Sequence, residues 1–85
     1  MSSRPRLTDE QIQRVANTMI GTDMSLGIAL TMCGFFLDQL HHADVARCAD
    51  RVKRCTRCRQ WAARAEVVEN LCPVCWEELY PEENN

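Results

Sequence analysis

Apolar side chains recur at helical spacing from Ile12 to Ile20, where Ile12, Val15, Ala16, Met19 and Ile20 fall on one stripe. Thr8 precedes that stripe as a cap, Gln11 three residues on completes a capping box, and Leu7 is placed to staple onto Ile12. Gly21 supplies the stop, so the pattern predicts a helix over about 9–20. From Met24 to Leu37 the chain then runs without a charge, bracketed by Asp23 and Asp38. That run is too short for a membrane span, which needs about 20 apolar residues. Thr22, Asp23 and Ser25 are all suitable caps, and a second helix is predicted over about 24–41.

The second helix carries a stripe of Leu26, Leu30, Cys33, Leu37 and Leu40, flanked by Ala29 and Phe36. Ile28, Met32 and Phe35 lie on its other faces, so it is apolar nearly all round. Gly27 and Gly34, one heptad apart, permit close backbone approach, either to the first helix or at a dimer seam. Beyond Leu40 the spacing resumes at Val45, Cys48, Ala49 and Val52. A bend or break is expected near His42 to Asp44, with Asp44 capping a third helix over about 44–51.

Cysteine spacing changes the picture from a helical chain to a metal-stapled one. Residues 55–58 read C-T-R-C and residues 72–75 read C-P-V-C. Two such pairs, about one small hairpin apart, can bring four soft thiolates onto one tetrahedral ion. An all-sulfur tetrahedral site suits zinc or iron, and nothing else in the chain suggests electron transfer, so zinc is expected. Cys72 sits where a helix N-cap belongs and Pro73 at the first helical position. With Glu77 and Glu78 following and Pro81 as a stop, a short helix is predicted over about Pro73–Tyr80. The first pair reads as a tight knuckle after a short strand around Val52 to Arg54.

Knuckle followed by helix N-terminus resembles the treble-clef and zinc-ribbon group of four-cysteine fingers, over residues 52–80. The resemblance implies a fold and one structural zinc per chain, on Cys55, Cys58, Cys72 and Cys75, and no particular activity. One residue departs from the pattern: Arg59 follows the first pair, where a glycine often eases such knuckles. A closed shell of protein ligands leaves no position for water or substrate. No serine, histidine and acid arrangement or phosphate-cradling glycine loop stands out either, so the chain is not expected to be an enzyme or to take a small-molecule substrate. Cys33 and Cys48, on apolar faces, are expected as small core residues, and His41 and His42 lack companion ligands.

The net charge of −2 conceals a strong polarity along the chain. From Arg47 to Arg64 seven basic residues stand against Asp50 alone, and from Ala65 to Asn85 six acids stand with no base. Arg54, Arg57, Arg59 and Trp61 therefore form a candidate nucleic-acid contact, basic groups beside an aromatic that could stack a base. The competing reading is that the cations stabilise a zinc–thiolate centre and that Trp61 is core.

The whole predicts a small α-rich α+β fold: an N-terminal helical hairpin followed by a compact four-cysteine zinc finger. Residues 1–6 read as a flexible tail, 7–51 as helical, 52–80 as the zinc-binding module and 81–85 as an acidic tail. A small domain of this size is marginal without a metal or a partner. One short neighbouring helix cannot cover the uncharged helix, so a folded-back zinc module, a second copy or another protein must. The first expectation is an adaptor or regulator that dimerises or clasps a protein through Leu26, Leu30, Phe35, Phe36 and Leu37. The second is a nucleic-acid-binding regulator using the basic knuckle over 51–64. In plan the chain is similar to small phage-encoded or mobile-element proteins that bind host machinery. Without an apolar leader segment the reducing cytoplasm is expected, the host's if the chain is phage-encoded.

Overall fold

Thr8 opens the first helix in the computed structural model, which describes residues 5–81. Its hydroxyl accepts from the Gln11 N–H at 3.1 Å while the Gln11 side chain accepts from the Thr8 N–H at 2.9 Å. The capping box therefore forms, and α1 spans Asp9–Met19 with Ile12, Val15, Ala16 and Met19 buried. Gly21 follows at φ +83°, a conformation that suits glycine.

The second helix is much shorter than its apolar run predicts. α2 spans Leu26–Met32 beneath a Ser25 cap and ends because Gly34 turns left-handed at φ +86°. The Gly34 N–H donates to the Thr31 carbonyl at 3.0 Å and the Phe35 N–H to the Leu30 carbonyl at 2.9 Å. Those two bonds are the paired bonds of a Schellman stop, which brings Phe35 back against the core beside Leu30. The continuous helix expected over 24–41 is thus replaced by α2 and a 3-10 turn at Leu37–Gln39, and the separate third helix expected over 44–51 starts two residues earlier, at His42. Neither Gly27 nor Gly34 has an atom within 4 Å of where a Cβ would stand, so neither serves close packing on α1.

The third helix, α3, spans His42–Asp50, and Asp44 is not its cap. The Asp44 carboxylate is fully buried and turned toward the chain that precedes α1. It accepts from the Arg6 guanidinium at 2.9 and 3.0 Å, from the Leu7 N–H at 3.0 Å and from Arg47 at 3.4 Å. Arg6, expected in a flexible tail, is therefore fastened to α3; residues 1–4 and 82–85 of the expected tails lie outside the described residues. Arg47 also pairs with Asp9, and Arg51 donates to Gln13 at 2.8 Å. Arg6 with Asp44, Asp9 with Arg47 and Gln13 with Arg51 share one separation of 38 residues, so α1 and α3 run parallel. The expected hairpin is thus three helices, with both α2 and α3 packed on α1.

Hydrogen bonds from Arg6 and from the Leu7 N–H hold the Asp44 carboxyl well below its ordinary value of 3.8, although burial opposes them. A lowered folded-state value stabilises the fold above the unfolded-state value, and that contribution is lost as pH falls below about 4. Asp44→Asn should accordingly be less stable than the native chain at neutral pH, and the gap should begin to narrow as pH falls below about 4. Denaturant unfolding of both proteins from pH 7 to pH 3 measures this, and a gap independent of pH would contradict it.

Two short strands follow α3: β1, Val52–Arg54, and β2, Trp61–Ala63, antiparallel with Val52 opposite Ala63 and Arg54 opposite Trp61. The outer edge of β2 is joined to the turn after α1. The Gly21 N–H donates to the Trp61 carbonyl and the Trp61 N–H to the Thr22 carbonyl, both at 2.8 Å. Leu7, the α1 stripe, Ala29, Leu30, Leu40, Cys48 and Val52 make the main core, with Trp61 packed against it. A second, smaller core holds Cys55, Ala62, Leu71, Cys72 and Cys75, backed by Val67 and Trp76. The architecture is a small α-rich α+β fold with a four-cysteine cluster after the helical N-terminal region.

Candidate metal centre

A tight turn and a helix start bring the four cysteines together. In the turn, the Cys55 N–H donates to the Gln60 carbonyl and the Arg59 N–H to the Cys55 carbonyl, both at 2.9 Å. Closing it places Arg59 at φ +64°, so an arginine occupies the left-handed position that a glycine would ease. The Arg57 and Cys58 N–H groups point at the Cys55 sulfur, at 3.4 and 3.5 Å. On the other side α4 spans Pro73–Leu79, with Pro73 at its first position and Cys72 as its cap. The Cys72 sulfur accepts from the Cys75 N–H at 3.5 Å. A small hairpin over 68–71 sets Cys72 in place, and its Asn70 carbonyl accepts from the Thr56 N–H at 2.9 Å.

All four sulfurs lie within 4.8 Å of one another, and those of Cys58 and Cys72 are 3.8 Å apart. Sulfurs held about 2.3 Å from a central ion at tetrahedral corners are about 3.8 Å apart. The cluster thus has the dimensions of a four-sulfur metal site. Its electrostatics point the same way. Burial pushes the Cys55 thiol up, but N–H groups of Cys58, Cys72 and Arg57 outweigh it and hold the group at about 6. Burial and the neighbouring Cys72 and Cys55 push Cys75 up to about 12. Sulfurs this close resist ionising together, and a divalent cation at their centre removes that resistance.

The basic residues around the knuckle are largely taken up inside the molecule. Arg57 pairs with Glu78. The Arg54 guanidinium lies 4.6 Å from the centre of the Trp61 ring and reaches the Asp23 carbonyl at 3.4 Å. Arg64 donates to the Asp50 carbonyl at 2.7 Å. Trp61 is half-buried, and its indole N–H donates to the Met24 carbonyl at 2.7 Å. One face of the ring is thereby covered by Arg54 and its polar edge is occupied. Arg59 is exposed on the knuckle.

The candidate contact residues of the helical region separate into two groups. Leu30 is fully buried in the core, and Leu26 and Phe35 pack against that core, so Leu30 is not available to a partner. Phe36 and Leu37 are exposed, and they are joined by Ile28 and Met32, each of the four being 52–65% exposed. Ile28 and Met32 escape a reading that follows the Leu26–Leu30–Cys33 stripe, yet their own four-residue spacing marks a second face of α2. Cys48 is buried, and Cys33 is half-buried with its sulfur 3.5 Å from the Thr18 hydroxyl. Among the described residues no helix is long and apolar enough to cross a membrane. Compared with known protein families, with curated proteins and with solved structures, the chain matches none.

Proposed function

We propose that this protein is a zinc-stapled adaptor that acts by binding another protein through the exposed apolar face of α2 and the following 3-10 turn. Zinc is the favoured ion because four thiolates at tetrahedral spacing suit it and such closed sites are common structural zinc sites. With four protein ligands the ion has no open position, so its part is structural. The carrying observation is the set Ile28, Met32, Phe36 and Leu37, each more than half exposed within one ten-residue stretch; the other exposed large apolar groups, Val68, Val74, Leu79 and Tyr80, lie around the cysteine module.

Magnitudes favour an unlike partner over a tight homodimer. Full burial of such a side chain gives roughly 1.5–3 kcal/mol, so the half already exposed offers about 1 kcal/mol each. Four of them on each of two copies give about 8 kcal/mol, against an association cost of about 4–15 kcal/mol. Self-association is therefore weak, and tight binding needs a partner with anchors of its own. Phe36→Glu should remove both the weak self-association and partner capture, while shifting stability by no more than about 0.5 kcal/mol. Sedimentation of the two proteins, with capture from the native host by each, is the test. Equal capture by wild type and Phe36→Glu would sink the proposal. Capture of nucleic acid instead, lost steeply with salt and on replacing Arg59, would favour the basic knuckle as the working surface.

A further inference from the structure

The four sulfurs are not equivalent, and the difference has a chemical consequence. Cys55, Cys72 and Cys75 are buried, whereas Cys58 is exposed. The Cys55 sulfur also accepts from the Arg57 and Cys58 N–H groups, at 3.4 and 3.5 Å. Beside the cluster a groove of about 660 Å³ runs between β2 and α4, and Cys58, Cys72, Cys75, Trp61 and Val74 are among the residues lining it. Cys72 and Cys75 also border this groove but are buried, so Cys58 is the cysteine of the cluster that a small oxidant reaches most readily from solvent.

We infer that Cys58 is a modification site through which hydroperoxides discharge the metal, with Cys72 as the resolving thiolate. The inference rests on the zinc reading above. The Cys58 thiolate attacks one oxygen of the peroxide; the O–O bond breaks, and hydroxide (an alkoxide from an organic peroxide) leaves and takes up a proton. Cys58 is then a sulfenic acid. The Cys72 thiolate, 3.8 Å away, attacks that sulfur; an S–S bond forms, the S–O bond breaks, and a second hydroxide leaves as water. Two electrons have passed from the two sulfurs to one peroxide. The separation closes from 3.8 Å to a bond of about 2 Å, a small movement for a turn and a helix start. A disulfide sulfur carries no charge for zinc, and the two remaining thiolates of Cys55 and Cys75 do not complete a site.

The test uses the full chain loaded with zinc and titrated with hydrogen peroxide. Released zinc is read with a chromogenic chelator, and the bridged cysteines are mapped by alkylation and mass spectrometry. One zinc should leave per peroxide consumed, with a Cys58–Cys72 bridge as the first product. Cys58→His keeps a three-sulfur, one-nitrogen site of a kind zinc accepts, and should slow release by at least about tenfold. If that variant does not bind zinc, the map of the native protein decides alone. First oxidation at Cys33 or at a buried ligand, or retention of zinc with Cys58 oxidised, overturns this inference and leaves the zinc site standing. A chain that binds no zinc at all overturns both.

Discussion

Cys55→Ser should leave residues 52–80 unfolded under conditions in which the zinc-loaded protein is native. Three of the five buried residues in the smaller core, Cys55, Cys72 and Cys75, belong to the cluster placed to hold the metal. Without a metal the module would rest on Ala62, Leu71 and the half-buried Val67 and Trp76. α4 has 7 residues, far below the length at which a helix persists alone in water. A structural zinc in such a module is worth about 10–16 kcal/mol in apparent binding free energy, as much as the whole stability of a typical domain of about 5–15 kcal/mol. Far-ultraviolet circular dichroism and amide NMR dispersion, with and without a chelator, measure the effect. Native dispersion of residues 52–80 in Cys55→Ser after chelation would show that the metal is not the staple.

The second large effect is expected at Trp61. This residue packs on the main core, donates its indole N–H to Met24 and lies beneath Arg54, while its backbone bonds the segment 21–22. It is therefore the joint between the helices and the finger. Truncation of a large aromatic costs about 3–5 kcal/mol when fully buried, and Trp61 is half-buried, so Trp61→Ala should cost about 3 kcal/mol. Unfolding should also separate into two steps, a metal-dependent one for the finger and a metal-independent one for the helices. Trp61→Phe keeps the packing and loses the bond to Met24, so about 1 kcal/mol and one step are expected. A single transition in Trp61→Ala, shifted by less than about 0.5 kcal/mol, would place the joint elsewhere.

What could be read from the sequence was local. Thr8 and Gln11 signal a helix start within one turn, Pro73 another, and two C-x-x-C pairs name a metal cluster by spacing alone. Gly34 was visible as a residue but not as a stop. Apolar continuity from Met24 to Leu37 carries no mark of where one glycine turns left-handed, and the Schellman bonds that fix it are made by its neighbours. Asp44 looked like a cap because its own helix is near, whereas its partners Arg6 and Leu7 stand 38 and 37 residues away. The internal partners of the arginines are distant for the same reason. Arg57, Arg54 and Arg51 read as a free basic patch until the distant Glu78, Asp23 and Gln13 are brought beside them.

That constant separation between α1 and α3 also sets an order of events during synthesis. α1 leaves the ribosome 38 residues ahead of the α3 groups that pair with it. At roughly 5–20 residues per second the wait for α3 is about 2–8 seconds, during which α2 alone can cover the apolar stripe of α1. Closing so wide a loop costs only about 0.6 kcal/mol more than closing one half as long, so the obstacle is delay rather than energy. Cys72 and Cys75 emerge later still, after the helices have their partners. The nascent chain therefore shows the amphipathic α1 before α3 can pair with it and the cysteine cluster later still, which makes α1 the place where a chaperone would engage it.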